Sequence, residues 1–424
     1  MREKLCILTA FILLLSSCTD EIIDNPIDKP VNNVRQIYSV FVETAEASTI
    51  TKEKNLDGRI VIKDSSGIIL EDAIKIKGRG NSTWGYDKKP YQVKFSTKRD
   101  VFGMPKEKTY ILLANYLDTT LIRNDVALFM GRSMSILEWT PSYEYVDLYL
   151  NGEYRGIYQF GEKLLASKNR VNVGDDGFLL EIDKKAKDSD VTFSVSHLEN
   201  PVNIKDPDLE KGDDSYNYIL NYVNKADSVL YSDSFLDPET GYKKYFDIKS
   251  FAEWYVINEI TKNCDSRFRT SCYMNLKRGG QLKMGPLWDF DLAFGNYPFA
   301  YEKSVISNDP ENYYLKDVQW FGRMFQDSEF IEKVKERFSY YYDNRQTIYD
   351  RMESDYLFLV DKVYRDNVLW GRITDIDASE EMVRNQYRYR IDYMKNWLEK
   401  RFQWLNDAFK NIDIDALGTA SCPK

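Results

Sequence analysis

Three aspartates flank one predicted β-hairpin near the middle of the chain. Asp265 precedes two strand-like runs, Tyr273–Lys277 and Gln281–Met284, and Asp289 and Asp291 follow them. The Arg-Gly-Gly sequence between the runs is typical of a hairpin turn, so the chain should return to its starting point and bring the three carboxylates together. Phosphoryl transfer uses such a set, because one carboxylate takes the acceptor proton and another holds magnesium on the phosphates.

The same residues also have a simpler interpretation. Asp265 can cap a turn, and Trp288–Asp291 can be an ordinary edge strand with solvated carboxylates. If that segment is extended, Asp289 and Asp291 point to one face and the two aromatic residues point to the other. Spacing alone leaves both interpretations open.

A glycine-rich stretch, Gly78–Gly85, lies between two predicted strands. Glycines let backbone N–H groups approach a phosphate closely, and Asn81 and Ser82 add side-chain donors. Arg79 can pair with phosphate oxygens. A turn between strands uses the same residue types, so this stretch is a weak signal by itself.

The strand after this stretch strengthens the phosphate interpretation. Tyr91, Val93 and Phe95 form its apolar face, so Lys94 points the other way, and Lys89 stands near the start of the strand. A lysine on a strand beside a glycine-rich loop can bind the α- and β-phosphates of a nucleotide. Lys89 and Lys94 are therefore candidate nucleotide ligands, and a solvated lysine is the alternative for each.

The elements that must position these residues follow from local patterns. Asp247 is a good N-cap, and apolar residues recur at helical spacing up to Ile260, so a helix should end just before Asp265. Strands are predicted over Tyr38–Val42, Arg59–Lys63, Ala73–Lys77, Tyr91–Phe95 and Tyr110–Ala114, with a hairpin over Tyr143–Phe160 that turns at Asn151-Gly152. Helices are predicted over Leu121–Met130, Ser215–Ser228, Ser328–Arg345, Ile348–Tyr364 and Glu380–Phe409.

Length and charge limit the function classes. The chain has 424 residues, which is long enough for more than one core, and a formal net charge of −9. A protein that binds nucleic acid should be basic, so no nucleic-acid partner is expected.

The N-terminus predicts export and lipidation. Met1–Lys4 carries a Lys and an Arg, Leu5–Leu15 is an apolar run too short to span a bilayer, and the sequence Leu-Ser-Ser-Cys ends at Cys18. This end resembles a bacterial lipobox, which implies a lipoprotein signal peptide over residues 1–17 and lipidation of Cys18; a plain signal peptide is the alternative. Residues 18–35 predict a flexible tether. The protein is expected at the bacterial outer membrane or cell surface, in contact with the membrane only through its lipid anchor.

The remaining cysteines do not predict a metal site. Cys264 and Cys272 lie on either side of the segment that follows Asp265, so they could pair, but sequence alone does not give the geometry of such a pair. Cys422 stands near the end of the chain. The spacing of these residues is not that of metal ligands, and His197 is the single histidine, so no zinc site is expected.

Five phrases along the chain resemble the CotH family, the spore-coat-H-like atypical kinases. They are Gly78-Arg-Gly-Asn-Ser-Thr-Trp84, Lys88-Lys-Pro-Tyr-Gln-Val-Lys-Phe95, Arg123-Asn124, Asn151-Gly-Glu-Tyr-Arg-Gly-Ile-Tyr158 and Pro286-Leu-Trp-Asp-Phe-Asp-Leu-Ala-Phe-Gly295. They stand in the family's order, and the resemblance covers roughly residues 36–410.

The resemblance implies an α+β, bilobal protein-kinase-like fold. A strand-rich N-lobe would occupy residues 36–160, and a mainly helical C-lobe with the catalytic hairpin would occupy residues 161–412, before a tail over residues 413–424. It also implies an atypical protein kinase of the cell envelope that uses ATP with Mg²⁺ or Mn²⁺. Its acceptor would be a surface or secreted protein.

The resemblance further implies roles for the three aspartates. Asp265 would be the catalytic base, and Asp289 and Asp291 would be metal ligands. A kinase catalytic loop usually has a metal-holding asparagine about five residues after the base, whereas this chain has Thr270 and then Ser271, so Ser271 becomes the candidate ligand. This departure keeps an alternative open, a pseudokinase-like surface lipoprotein that acts as an adhesin or as a protein- or glycan-binding scaffold.

Overall fold

The computed structural model describes residues 35–296, 308–371 and 379–412. The predicted lipid attachment site Cys18, nearly all of the predicted tether, the predicted tail and Cys422 lie outside these ranges. Within them, no helix combines the length and the apolar character needed to cross a membrane.

The N-terminal part of the structure is a closed β-barrel of seven strands. These are β1 Tyr38–Thr44, β2 Leu56–Asp64, β3 Gly67–Gly78, β4 Tyr91–Arg99, β5 Glu107–Leu113, β6 Tyr143–Leu150 and β7 Glu153–Glu162. Their order around the barrel is β1-β2-β3-β4-β5-β7-β6. The barrel closes where β1 pairs in parallel with β6, which places Val40 opposite Leu148.

Alternation along the barrel strands separates the apolar interior of the barrel from its outer face. In β4, Tyr91, Val93 and Phe95 are buried inside the barrel, as the sequence predicts. On the outer face, Gln92 lies opposite Lys77 of β3. The outer wall formed by β3 and β4 therefore presents polar side chains beside this pair.

The chain after the barrel contains a second sheet of five strands in the order β12-β11-β8-β10-β9. These are β8 Phe178–Ile182, β9 Thr192–Phe193, β10 Val202–Asp206, β11 Cys272–Leu276 and β12 Lys283–Met284. β11 and β12 are the arms of the predicted hairpin, with Met274 opposite Met284. The Gly280 N–H donates to the Lys277 carbonyl oxygen at 2.8 Å and closes the turn.

The helices of the described ranges are α1 Arg123–Ser133, α2 Asp214–Leu230, α3 Ile248–Thr261, α4 Gln319–Met324, α5 Ser328–Asp343, α6 Arg345–Leu359, α7 Val363–Leu369 and α8 Glu380–Lys410. The Asp247 side chain accepts from the Ser250 N–H and caps α3, as predicted. α3 is buried on every side because α1, α5, α8 and β12 pack around it. It ends at Lys262, which has left-handed backbone angles.

The predicted bilobal protein-kinase-like fold is wrong. The strands of the first part form a closed barrel, and the remaining chain contains a five-stranded sheet besides its helices. α1 comes between barrel strands in the sequence, yet it packs against α3 and α6 in the C-terminal core. Both features depend on contacts between distant parts of the chain, which local periodicity does not encode.

The individual elements lie largely where the sequence predicts them. The barrel strands, the hairpin around Asn151-Gly152, α1, α2, α5 and α8 are confirmed within a few residues. The helix predicted over Ile348–Tyr364 is instead two helices, α6 and α7. The sequence also does not predict α4, nor the short strands β9 and β10 in the polar region after β8.

Candidate active site

A cavity of about 510 Å³, here called the main cavity, is lined by residues of both the barrel and the second sheet. The barrel contributes Lys77 and Gln92 of its outer wall and the glycine loop, defined as residues 78–85. The second sheet contributes Glu181 of β8 and Tyr273 of β11. The main cavity thus lies where the two parts of the fold meet.

Most of the predicted site residues line this one cavity. They are Arg79, Asn81, Ser82, Asp265, Ser271, Asp289 and Asp291. The predicted ligands Lys89 and Lys94 are not part of the lining. Proximity alone does not assign a role, so the roles of all these residues stay predictions.

Asp265 lies in a single 3-10 turn, Cys264–Ser266, directly after α3. The side chain of Asn263 accepts from the Asp265 N–H at 3.3 Å and fixes the start of the turn. The Phe294 N–H donates to the Thr261 carbonyl oxygen at 2.7 Å. This second bond ties the end of α3 to the segment that carries the other two aspartates.

Asp289 and Asp291 follow β12 in a segment of irregular backbone. Asp289 has a φ of 64°, in the left-handed region that residues other than glycine rarely occupy. The alternation expected for an extended segment therefore does not hold here. Both carboxylates nevertheless reach the main cavity, and unusual backbone of this kind recurs at functional sites.

The first two residues of α1 hold this segment in place. Asn124 is buried, and its Oδ1 accepts from the Phe290 N–H at 2.7 Å. Its Nδ2 donates to Oδ1 of Asn115 at 3.0 Å. Arg123 donates from Nε to the Ala293 carbonyl oxygen at 3.1 Å. Sequence reasoning does not find this positioning function of Asn124, although the Arg-Asn pair is one of the family phrases.

Burial and mutual repulsion shift the protonation of the three aspartates. Burial and the charge of Asp289 raise the pKa of Asp265 to about 7, while the positive charge of Lys185 opposes this rise. Burial also raises the pKa of Asp289, with Arg79 opposing. For Asp291, burial and the other two carboxylates raise the pKa well above its usual range. A bound cation would offset this repulsion.

Ser271 lies directly beside one of the predicted metal ligands. Its Oγ donates to Oδ2 of Asp289 at 3.4 Å, and its backbone N–H donates to Oε1 of Glu181 at 3.1 Å. The hydroxyl therefore stands in the carboxylate cluster, although its residue type departs from the asparagine of a kinase catalytic loop.

The glycine loop is folded tightly on itself. A Cβ atom at Gly78 would lie 2.3 Å from the Trp84 ring, and Gly80 has a φ of 85°, so both positions require glycine. Arg79 stands between them and lines the main cavity. Its guanidinium carbon lies 5.9 Å from the centroid of the Trp288 ring, next to the carboxylate segment.

The predicted phosphate-binding lysines point elsewhere. Lys89 donates from Nζ to the Trp84 carbonyl oxygen at 2.8 Å, and Lys94 is exposed on the outer face of β4. Six other lysines within the described ranges line the main cavity, and they include Lys77, Lys185 and Lys205, which sequence reasoning missed. Lys77 directly precedes the glycine loop, which was an available signal, whereas the other two come from a polar region without periodicity.

A further cation, Lys163, lies directly after β7 and close to these positive charges. Burial and the charges of Arg79, Lys77 and Lys205 lower its pKa to about 8. Several cations gathered around a largely buried lysine favour the presence of an anion.

No three His, Cys, Asp or Glu side chains within the described ranges form a ready metal-binding group. Magnesium does not need a complete protein cage, because it keeps several waters and is usually bound by one or two carboxylates and the substrate phosphates. Carboxylate and hydroxyl oxygens are also the hard donors that it prefers. The clustered and mutually repelling aspartates therefore fit a divalent cation.

Cys264 and Cys272 are both buried free thiols in the structure, so the pairing considered from the sequence is not formed. The Cys264 thiol donates to the Leu292 carbonyl oxygen at 3.1 Å, and the Cys272 thiol donates to the Asp265 carbonyl oxygen at 3.4 Å. Burial raises the pKa of Cys272, which favours the unreactive thiol form. Both cysteines act as structural contacts of the segment that carries the candidate base.

Together, the glycine loop, the surrounding cations and the clustered carboxylates define a class of site, one suited to a ligand that carries phosphates. The chain belongs to the CotH kinase family, since a family model described as CotH kinase protein matches residues 76–405. The family resemblance predicted from the five phrases is thereby confirmed. Membership of this family implies a kinase-like protein, and kinases transfer phosphate from ATP. A comparison with curated proteins gives no match.

Proposed function

We propose that this protein is an atypical protein kinase that transfers the γ-phosphate of ATP, with Mg²⁺ or Mn²⁺, to a surface or secreted protein. The observation that carries the proposal is the convergence of Asp265, Asp289 and Asp291 on one cavity with the glycine loop and Arg79. Gathering three like charges in one cavity, with Asp291 buried and Asp265 and Asp289 half-buried, costs free energy. Binding of a cation to the carboxylates, together with phosphates on the cation, would offset this cost.

Asp265 is the proposed proton acceptor. Its pKa of about 7 lies in the range where a general base works best at neutral pH. The acceptor hydroxyl oxygen forms a bond to the γ-phosphorus, and the bond from that phosphorus to the bridging oxygen of ADP breaks. The hydroxyl proton passes to a carboxylate oxygen of Asp265.

Asp289 and Asp291 are the proposed metal ligands, and the Ser271 hydroxyl stands beside the first of them. A divalent cation, when bound there, neutralises charge on the phosphates. Asn124 supports this arrangement, because its bond to the Phe290 N–H fixes the backbone between the two aspartates.

The glycine loop is the proposed phosphate cradle, through its backbone N–H groups and the side chains of Arg79, Asn81 and Ser82. Lys77 and Lys185 add positive charge to the same cavity. Lys89 and Lys94 stay candidates only through the family phrase that contains them.

The proposed location rests on the sequence of the N-terminus. Lipidation at Cys18 and a tether over residues 18–35 would hold the enzyme at the bacterial outer membrane or cell surface. Its partner would be an acceptor protein, it would contact the membrane only through the lipid, and it would bind no nucleic acid.

The alternative is a pseudokinase-like surface lipoprotein that acts as an adhesin or as a protein- or glycan-binding scaffold. Ser271 in place of the usual asparagine favours it. This alternative predicts a cavity that binds no metal–nucleotide complex.

Thermal unfolding with ATP, with and without Mg²⁺ or Mn²⁺, tests the proposal, followed by transfer of radiolabelled phosphate to mixed acceptor proteins. A ligand that binds only the native state raises the melting temperature. We expect a rise that needs both nucleotide and metal, and a smaller rise for Lys185→Ala than for the matched variant Lys54→Ala, which changes an exposed lysine outside the cavity lining. If the wild-type protein shows neither a rise nor transfer with either metal, the scaffold alternative replaces the enzyme.

A further inference from the structure

A second cavity, of about 300 Å³, is lined by residues that immediately follow the candidate base in the chain. Arg267 and Arg269 come from this segment, and Lys184 comes from the segment after β8. Glu199 and Asp317 also line it. The lining is almost entirely polar, which distinguishes this cavity from a gap in the apolar core.

The main cavity and the second cavity share a wall made of two chain segments. After β8, Asp183 and Lys185 line the main cavity, whereas Lys184 between them lines the second. After α3, Asp265 lines the main cavity and Arg269 lines the second. The Lys184 N–H donates to the Arg269 carbonyl oxygen at 2.6 Å, which joins the two segments. The positive charge of Arg269 also acts on Asp265 across this wall, opposing the rise in the pKa of that carboxyl.

Positive charge dominates the interior of the second cavity. Arg267 and Arg269 are half-buried, whereas the carboxylates of Glu199 and Asp317 are exposed at its edge, as is Lys184. Water and salt screen exposed charges far more than buried ones. The two guanidinium groups therefore outweigh the two carboxylates, although the whole chain is acidic.

The cavity wall is also held rigidly. Arg267 donates from Nη1 to the Tyr314 carbonyl oxygen at 2.8 Å, and its guanidinium carbon lies 5.4 Å from the centroid of the Tyr314 ring. Asn200 donates from Nδ2 to the Phe268 carbonyl oxygen at 2.8 Å. A site that is already ordered loses little conformational entropy when it binds a ligand.

We propose that the second cavity binds an anionic side chain of the acceptor polypeptide, a carboxylate or a phosphorylated residue, while a nearby hydroxyl of the same polypeptide reaches Asp265. The inference rests on the proposed kinase function and adds the class of acceptor. Guanidinium groups suit carboxylates and phosphates because they offer planar sets of donors. Lys184 strengthens the attraction at the mouth of the cavity, and a lysine or arginine in the same position of the acceptor is repelled.

The test measures peptide binding to the full chain by fluorescence anisotropy, without nucleotide. Four labelled peptides share a central serine and differ in the residues on both sides of it, which are glutamate, phosphoserine, glutamine or lysine. We expect the two anionic peptides to bind more tightly than the glutamine peptide, and the lysine peptide to bind most weakly. The tighter of the two anionic peptides identifies the acceptor chemistry.

Variants assign this preference to the second cavity. Lys184→Ala should weaken binding of the anionic peptides about 1.5- to fivefold, the range for losing one exposed ion pair, and leave the glutamine peptide unchanged. Lys184→Glu should weaken it further. Lys54→Ala is the matched control, because Lys54 is an exposed lysine that lines neither cavity. Equal binding of glutamate and glutamine peptides, or an equal loss in Lys54→Ala, overturns the inference.

A parallel labelling assay with ATP separates this inference from the proposed function. If the wild-type protein labels glutamine peptides as efficiently as anionic ones, the inference is overturned while the kinase function stands. If it binds anionic peptides through Lys184 but labels neither the four peptides nor mixed acceptor proteins, the second cavity is supported as a binding site and the kinase function is contradicted.

Discussion

The side chain of Asn124 is expected to control the position of Asp289 and Asp291. It is only 4% exposed, and its Oδ1 accepts from the Phe290 N–H at 2.7 Å while its Nδ2 donates to Asn115 at 3.0 Å. Asn124→Ala removes both bonds without filling the space. The Phe290 N–H then loses its acceptor inside a buried segment.

The structure sets the size of the effect. A buried donor left without a partner costs about 1–3 kcal/mol, and losing the hydrogen bond to Asn115 adds about 1 kcal/mol, so we expect the free energy of unfolding to fall by about 2–4 kcal/mol. The backbone at Phe290 can recover part of this cost only by turning toward another acceptor. Because Phe290 stands between Asp289 and Asp291, that movement displaces both carboxylates and should reduce the melting-temperature rise with metal and ATP.

A matched variant separates stability from positioning. Asn367 is also buried, lies in α7 and donates from Nδ2 to the Val363 carbonyl oxygen at 2.8 Å. Asn367→Ala removes this bond and the one that Asn367 Oδ1 accepts from Arg390 at 3.4 Å, so it should also lose stability in chemical denaturation, and it should keep the full response to metal and ATP. If Asn124→Ala keeps this response as well, or if both variants lose it equally, the positioning argument for Asn124 is refuted.

Other perturbations have equally definite outcomes. Lys88 and Asp366 form a fully buried ion pair with 2.7 Å between Nζ and Oδ1, so Asp366→Ala should cost about 3–5 kcal/mol in chemical denaturation; a loss near zero would contradict this. The pKa of Lys163 is about 8, below the usual value of about 10.4, so between these pH values the folded wild type binds fewer protons than the unfolded chain and its stability rises with pH. Lys163→Met should lack that rise. If the free energies of unfolding of the wild type and the variant, measured by denaturation from pH 7 to 11, change with pH in the same way, the prediction is contradicted. Cys18→Ala should lose labelled fatty acid and leave the membrane fraction, whereas equal labelling of both proteins would reject lipidation.

Local sequence patterns predict the individual elements well because their causes are local. The Asp247 side chain caps α3 through one nearby N–H. At the β6–β7 hairpin, Asn151 and Gly152 have φ angles of 51° and 84°, the backbone that this residue pair adopts readily. Neither feature depends on the rest of the fold.

The arrangement of these elements depends on distant contacts, and there the sequence prediction fails. β1 could pair on either edge with any exposed strand, and its alternation does not name β6 as the partner that closes the barrel. β8 pairs with β11 across a long stretch of chain, with Ile182 opposite Cys272. The bilobal arrangement predicted from the resemblance to kinases is inconsistent with these two pairings.

The candidate site also combines residues that local patterns predict with residues that only distant contacts bring together. Asp265 and Asp289 are connected by one hairpin, so the sequence predicts that they meet. Lys185 reaches the cavity only because β8 joins the second sheet, which no local pattern indicates. Lys94 is the opposite case: the sequence predicts its face of β4 correctly, yet the side chain is exposed outside the cavity lining.

The separate roles of Asp265 and Asp289 are the central claim, and one paired measurement tests them most directly. Asp265→Asn and Asp289→Asn are compared with the wild type in ATP binding with Mg²⁺ or Mn²⁺ and in transfer of radiolabelled phosphate. Asp265→Asn should bind metal–ATP about as well as the wild type, because it keeps the proposed metal ligands, and should label no acceptor, itself included. Asp289→Asn should lose metal-dependent binding and transfer together. Equal loss of binding in both variants would contradict the assigned roles, and a wild type that neither binds nor transfers would contradict the kinase itself.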